Sequence, residues 1–372
     1  MPTSSIILSE HFFSKKEGKS IKTSRGIISI EKVLNSRCSC DSYRDPKKRH
    51  WGIYKDKQPP QEIINRILKC CKVPQFSNGK LVHWFKENYL FLGFEKTSNP
   101  TKARMLHIES GMQHEAVYLA CTALGIGTCI RNQGINGTEY GNKIATARHL
   151  IMEMADPYET GKYTTKAPGP EKPFKVGKNL IALKRDGIVE CLPELERLTL
   201  SNDNGAPADE SDISQLLWAA KGRTPHCVRI HVWDLLWGLT IPTWGGGQAY
   251  TNIFLIKEDK LFRYINWTKP FSLLNRLFLN YAKWTRGNPT HDIHFIRNVN
   301  TRAQLDEAET AIILCQNEKT NRAFWEVGYM LENMFLQAKS LKISYRSKIF
   351  NKNEIKQMTD LGVSGAVAAL LL

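Results

Sequence analysis

The sequence contains no apolar run approaching the ~18–20 residues that a membrane-spanning helix requires. It has no C-x2-C pair of the kind common in zinc sites. No G-x-G-x-x-G follows a strand pattern and no G-x-x-x-x-G-K-[ST] occurs, so neither a Rossmann nor a P-loop nucleotide site is supported. Acidic residues are scarce: 36 Asp and Glu stand against 52 Lys and Arg over 372 residues, a formal net charge of +16. The lysines at the N-terminus follow a short apolar patch, the reverse of the order in a secretory signal. The nine cysteines are an odd number in a chain too long for a disulfide scaffold. A soluble, cytoplasmic protein with reduced thiols is the expectation, with no membrane partner.

What is present is ample apolar surface. Hydrophobic residues make up 42% of the chain and aromatics 10%, which excludes a disordered or collagen-like polymer. The basic residues are scattered, with short clusters at Lys15 and Lys16 and at 47–49. That reads as a solvated basic surface suited to an anionic cofactor rather than to nucleic acid. Residues 60–72 repeat apolar positions at Ile63, Ile64, Ile67, Leu68 and Cys71, the spacing of an amphipathic helix opened by proline. Residues 89–94 read as a strand. Residues 110–124 form a strongly apolar helix stopped by Gly125-Ile126-Gly127, and 150–154 a further strand. The Pro-, Gly- and Lys-rich segment 156–178 reads as a linker or arm.

Residues 201–211 are polar and aperiodic, and after them the pattern starts again. Residues 213–222 (ISQLLWAAKG) align with 64–73 (INRILKCCKV) at an offset of 149, and 328–344 align with 111–127 at an offset of 217. In the second alignment a glycine, a glutamate, two leucines and an isoleucine coincide. Strands are expected at 252–256 and 310–315, with an aromatic-rich insert at 260–288. The pattern predicts an internal duplication: an arm (1–30), a first half (31–200), a linker (201–211) and a second half (212–372). Two copies of a unit that normally pairs can bury against each other as an isologous dimer does.

Three segments can carry chemistry. Arg37-x-Ser39, in a turn after a helix, offers a bidentate cation and a hydroxyl suited to a phosphate, or forms an ordinary polar turn. The run 242–248 (PTWGGGQ) precedes a strand, and its glycines either let a flat ligand approach the main chain or form a flexible loop. Residues 125–129 (GIGTC), then Gln133-Gly134, either present backbone donors to a ligand or cap the buried helix. His291-x-x-His294 has no third ligand spaced nearby, so no metal site is expected. His114, on the apolar helix, reads as packing.

Together these segments resemble the nitroreductase-like flavoprotein family. Its R-R-S-x-R opening is similar to Arg37, Cys38, Ser39, Cys40 and Asp41, where the first Arg and the Ser match and the other two arginines are replaced. Its A-P-S-x-x-N loop is similar to 73–78 (VPQFSN), and its helix followed by G-L-G-T-C and E-G resembles 116–129 with Gln133-Gly134. In the second half, 216–222 (LLWAAKG) and 242–248 resemble the azoline-dehydrogenase branch.

The resemblance implies an α+β, nitroreductase-like fold whose two half-units, each a mixed or antiparallel sheet flanked by helices, form an intramolecular pseudo-dimer. It implies FMN as cofactor, reduced by NAD(P)H or another electron donor and oxidised by a small substrate. Arg37 and Ser39, with Cys38 and Asp41, would hold the phosphate. Gln133 and Gly134 would face flavin N5, and Pro242, Thr243, Gly245 and Gly246 would close the site from the second half. No side-chain acid or base is implied. The mirror site lacks an Arg-x-Ser and has Lys342-Ile343-Ser344 in place of G-I-G, so one flavin per chain is expected, in a monomer or a homodimer. A flavin-sequestering protein and an azoline-dehydrogenase-type modification enzyme are the alternatives.

Overall fold

The computed structural model describes residues 29–37, 58–86, 89–131, 138–153, 175–181, 189–231, 234–242, 250–268, 288–300, 305–318 and 320–372. Their architecture is α+β, as the resemblance implied, with helices set against antiparallel sheets. No helix among the described residues is long and apolar enough to cross a membrane.

A short helix α1 (Ile30–Ser36) opens the first half and is capped by the Ser29 side chain. Helix α2 (Gln61–Cys70) starts after Pro60 and buries Ile63, Ile64, Ile67 and Cys70, the face read from the sequence, and Cys71 caps its C-terminal end. Strands β1 (Leu81–Lys86) and β2 (Tyr89–Glu95) form an antiparallel hairpin. Helix α3 (Pro100–Leu124) begins a decade earlier than its apolar run suggests. Asn99 there accepts from the N–H groups of Thr101 and Lys102, and proline takes the first turn, where its missing N–H costs nothing. The helix ends where predicted, at Gly125, whose φ of 69° is left-handed. Strands β3 (Ile126–Arg131), β4 (Thr138–Tyr140) and β5 (Lys143–Glu153) complete a sheet of order β1-β2-β5-β3, with β4 also on β5.

Beyond it the chain crosses to a second sheet. Strand β6 (Lys175–Val176) pairs with the second-half strand at Thr290 and His291. After the short helix α4 (Cys191–Leu195), the polar segment that reads as a linker is laid along that sheet's edge. Its strand β7 (Ser201–Asn202) pairs with Arg346 and Tyr345, and Ala206 exchanges backbone bonds with Lys342 and Ser344. Helix α5 (Glu210–Lys221) is started by a capping box between Asp209 and Asp212. Strands β8 (Arg223–His231) and β9 (Asp234–Leu239) form a separate ribbon. Then follow β10 (Thr251–Lys257), β11 (Lys260–Thr268), β12 (Asn288–Asn298), β13 (Thr310–Gln316), helix α6 (Asn321–Leu341), β14 (Tyr345–Ile349), helix α7 (Lys352–Asp360) and β15 (Ala366–Leu371). The start of the expected aromatic insert is thus strand β11, paired to β10 and β12.

The second sheet runs β6-β12-β11-β10-β13-β15-β14-β7. Its centre, β10-β13-β15-β14, repeats the path β1-β2-β5-β3. In each, a strand leads into a long buried helix, the helix leads to an outer strand, and the last strand inserts between them, all antiparallel. Helices α3 and α6 cross at glycines. A Cβ on Gly111 would lie 2.4 Å from the Trp325 carbonyl oxygen, and one on Gly328 would lie 2.0 Å from that of Ile108. The two contacts mirror each other: Gly111 and Gly328, and likewise Ile108 and Trp325, are 217 residues apart, the offset of the sequence alignment. One core joins the halves, from Ile30, Ile67 and Leu119 to Leu217, Phe335 and Leu370.

Candidate functional site

Because α3 and α6 are buried on all sides, their polar side chains must find partners inside the protein. Arg37, the C-cap of α1, is buried. Its Nε donates to the Thr240 carbonyl and its Nη2 to the Leu239 carbonyl, each at 2.8 Å. The guanidinium lies 5.1 Å from the centre of the Tyr118 ring, and its Nε is 3.7 Å from Glu115 Oε1, close enough for ion pairing but not for a hydrogen bond. Asn333 Nδ2 donates to the same Thr240 carbonyl and to that of Ala219. Buried Pro242 lies two residues beyond Thr240.

Of the three guanidinium nitrogens of Arg37, Nη1 has no hydrogen-bond partner among the described residues. Its two fixed, buried N–H groups can donate to anionic oxygens. Burial pushes the Glu115 carboxyl up to about 8, against the pull of Arg37 and Asn333. Near neutral pH it is therefore largely protonated and does not repel an anion beside Arg37. Burial, and the charge of Glu115, push Glu332 up as well.

The far stem of the 242–248 segment is held in a similar way. Glu326 Oε2 on α6 accepts from the Tyr250 N–H at 3.1 Å and from Thr251 Oγ1 at 2.9 Å. Lys221, the last residue of α5, donates to the Thr251 carbonyl at 2.7 Å and to its Oγ1 at 2.6 Å, and stands 3.7 Å from Glu326. Burial lowers the Lys221 pKa and raises that of Glu326, while each partner's charge opposes the shift. In the first half, Glu109 accepts from Ser77 N–H at 2.6 Å and from Ser77 Oγ at 2.9 Å. It thereby fixes the segment similar to A-P-S-x-x-N.

The buried histidines belong to hydrogen-bond chains. Thr146 Oγ1 donates to the Leu92 carbonyl, so it accepts from Ser110 Oγ and His114 Nε2. His114 Nδ1 must then accept from His149 Nε2, whose Nδ1 accepts from Thr128. Every bond can be made with both rings neutral, in agreement with burial lowering His114 to about 3 and His149 well below its usual value. Likewise Ser214 Oγ donates to the Ile181 carbonyl, so His291 Nε2 donates to Ser214 and Tyr264 donates to His291 Nδ1. The serine proton is directed away from the histidine, so this trio is no nucleophile pair. His294 lies exposed on β12, and no group of three or more potential metal ligands occurs among the described residues.

Of the residues singled out from the sequence, the structure describes Arg37 and Pro242 and brings them to one junction between the halves. Cys38, Ser39, Asp41, Gln133, Gly134, Thr243, Gly245 and Gly246 lie outside the described residues. Sequence reasoning missed Glu109, Glu115, Lys221, Glu326, Glu332 and Asn333 as functional positions. The available signal was the recurrence of Glu-x-Gly-x-x-x-Glu at 109–115 and 326–332.

No family model and no curated protein matches the sequence. Among solved structures, the chain is similar to three proteins provisionally described as nitroreductases. That of Ralstonia eutropha JMP134 shares 15% identity over 55% of this chain and 95% of its own, with a TM-score of 0.35. That of Thermotoga maritima MSB8 shares 11% over 96% and 99%, at 0.41. That of Anabaena variabilis ATCC 29413 shares 10% over 92% and 99%, at 0.49.

Proposed function

We propose that the chain is an FMN-dependent oxidoreductase of nitroreductase-like fold, with two fused half-units forming a pseudo-dimer around one flavin. The observation that carries this reading is the Arg37 junction. A first-half cation grips the Leu239 and Thr240 carbonyls of the second half, next to Pro242, and keeps its Nη1 donors open. The repeated strand path and the glycine crossing at an offset of 217 support the fused pseudo-dimer.

FMN, when bound, supplies the two-electron chemistry that passes hydride from a reduced nicotinamide to a small oxidised substrate. The chain's residues bind and orient. Arg37 and Ser39 would hold the phosphate, with Cys38 and Asp41 beside them in sequence. The Gly134 N–H, next to Gln133, would supply the backbone donor toward N5, and Pro242, Thr243, Gly245 and Gly246 would form the second-half wall. A flavin store is the second reading, favoured by the two missing arginines.

The test is to release and count the chromophore of the purified protein. One FMN per chain is expected, and anaerobic addition of NADH or NADPH then distinguishes turnover from storage. Arg37→Ala is expected to lose the flavin. A cooperatively folded Arg37→Ala protein with its full complement would refute the phosphate assignment.

A further inference from the structure

We propose that Lys221 and Glu326 are positioning residues: a buried ion pair whose role is to fix the Tyr250–Thr251 stem of the second-half loop rather than to stabilise the protein. The inference rests on the flavin-site reading for its ligand, but not for its geometry.

The two stems that flank residues 243–249 are each held by buried side chains. Arg37 holds the carbonyls at 239 and 240, and Lys221 with Glu326 holds Tyr250 N–H and both oxygens of Thr251. Thr251 Oγ1 is the shared link, accepting from Lys221 and donating to Glu326. Three consecutive glycines carry little conformational preference of their own, so a fixed stem is where the protein can impose one.

The repeat shows that a charged clamp is not needed for folding. Glu109 occupies the register of Glu326, two residues before the crossing glycine, and holds Ser77 through an equivalent pair of N–H and O–H donors. The lysine aligned with Lys221 is Lys72, and it is exposed. Only the second-half stem carries a buried cation. Desolvating two charges offsets most of their attraction, so replacing such a pair by apolar residues of similar size is often neutral or stabilising. A pair retained at that cost is best explained by the orientation it imposes.

The decisive variant is Lys221→Met/Glu326→Leu, with Thr251→Val as a near-isosteric second variant that removes only the shared hydroxyl. Three quantities are measured: the melting temperature, hydrogen exchange of the Tyr250 amide in the flavin-free protein, and FMN affinity. The double variant is expected to melt at or above the wild-type temperature, to exchange Tyr250 at least tenfold faster, and to bind FMN at least tenfold more weakly. Thr251→Val should shift exchange and affinity the same way, severalfold. Unchanged Tyr250 exchange in a folded variant of either kind overturns the proposal, and so does a large loss of melting temperature that Thr251→Val shares. If wild-type protein binds no FMN, the proposed function fails, while the exchange arm still decides whether the pair positions the stem.

Discussion

Gly328→Ala tests the helix crossing on which the arrangement of the two halves depends. The added methyl would sit 2.0 Å from the Ile108 carbonyl oxygen and 2.9 Å from Gly111 Cα. Carbon–oxygen contacts settle near 3.3 Å, so α3 and α6 must separate by about 1.3 Å. A gap of that size forfeits about half of the dispersion energy across it. If the crossing carries as many atom contacts as one buried leucine, about 40–60 at roughly 0.1–0.2 kcal/mol each, the loss is about 2–6 kcal/mol. The same reasoning applies to Gly111→Ala, whose methyl meets the Trp325 carbonyl at 2.4 Å. Once one methyl has driven the helices apart, the second finds room, so the double variant should cost clearly less than the sum of the singles. Urea unfolding followed by tryptophan fluorescence and circular dichroism measures all three. Single costs below about 1 kcal/mol, or a double variant that costs the full sum, would refute the close crossing.

Three further outcomes are expected. His114, His149 and His291 are buried and neutral, with pKa values lowered to about 3, well below normal and about 4. Between those values and ~6.5 the unfolded chain binds more protons than the native one, so their stabilisation is complete above pH 6.5 and is lost as pH falls. At pH 5 the loss is about 2 kcal/mol each for His114 and His291, and His149 adds in the same direction. Glu115, raised to about 8, acts oppositely and weakens the fold as pH rises from 4.5 to 8, as do the raised Glu326 and Glu332 above pH 4.5. Replacing His291 by Gln should therefore remove about 2 kcal/mol of the loss between pH 6.5 and 5 in urea titrations, and a profile identical to the wild type's would contradict a neutral His291. Lys342 caps α6 with a left-handed φ of 59° at the register of Gly125, so Lys342→Gly should stabilise by about 0.5–1 kcal/mol; a loss in thermal denaturation would mean the lysine has a use the cap does not explain. Arg37→Ala should release the flavin of the proposed site and also destabilise by about 1–3 kcal/mol, because the Leu239 carbonyl loses its buried donor and the Thr240 carbonyl keeps only Asn333. Absorbance at the flavin band and a melting curve read the two effects separately.

The sequence by itself determined much of the local structure. The period of 60–72 marked the buried face of α2, Gly125 marked the end of α3, and the strands at β2, β10 and β13 were legible as apolar runs between turn residues. These are local consequences of side-chain periodicity and backbone freedom, and they need no partner to be read. The start of α3 was not legible, because its first turns are polar and only the Asn99 cap and Pro100 define them. Nor was the segment 201–211, whose polar composition suits a linker but whose backbone is paired to the second sheet. The charged groups of the candidate site were hidden for the same reason. Glu115, Glu326 and Lys221 look like the solvent faces of helices until α3 and α6 are buried against each other. Arg37 reads as a phosphate ligand from its turn, while only the tertiary structure puts it on the carbonyls at 239 and 240, some two hundred residues away. Spacing along the chain fixes which residues share a face, but the desolvation that turns a charge into a clamp comes from what covers that face, and only packing decides it.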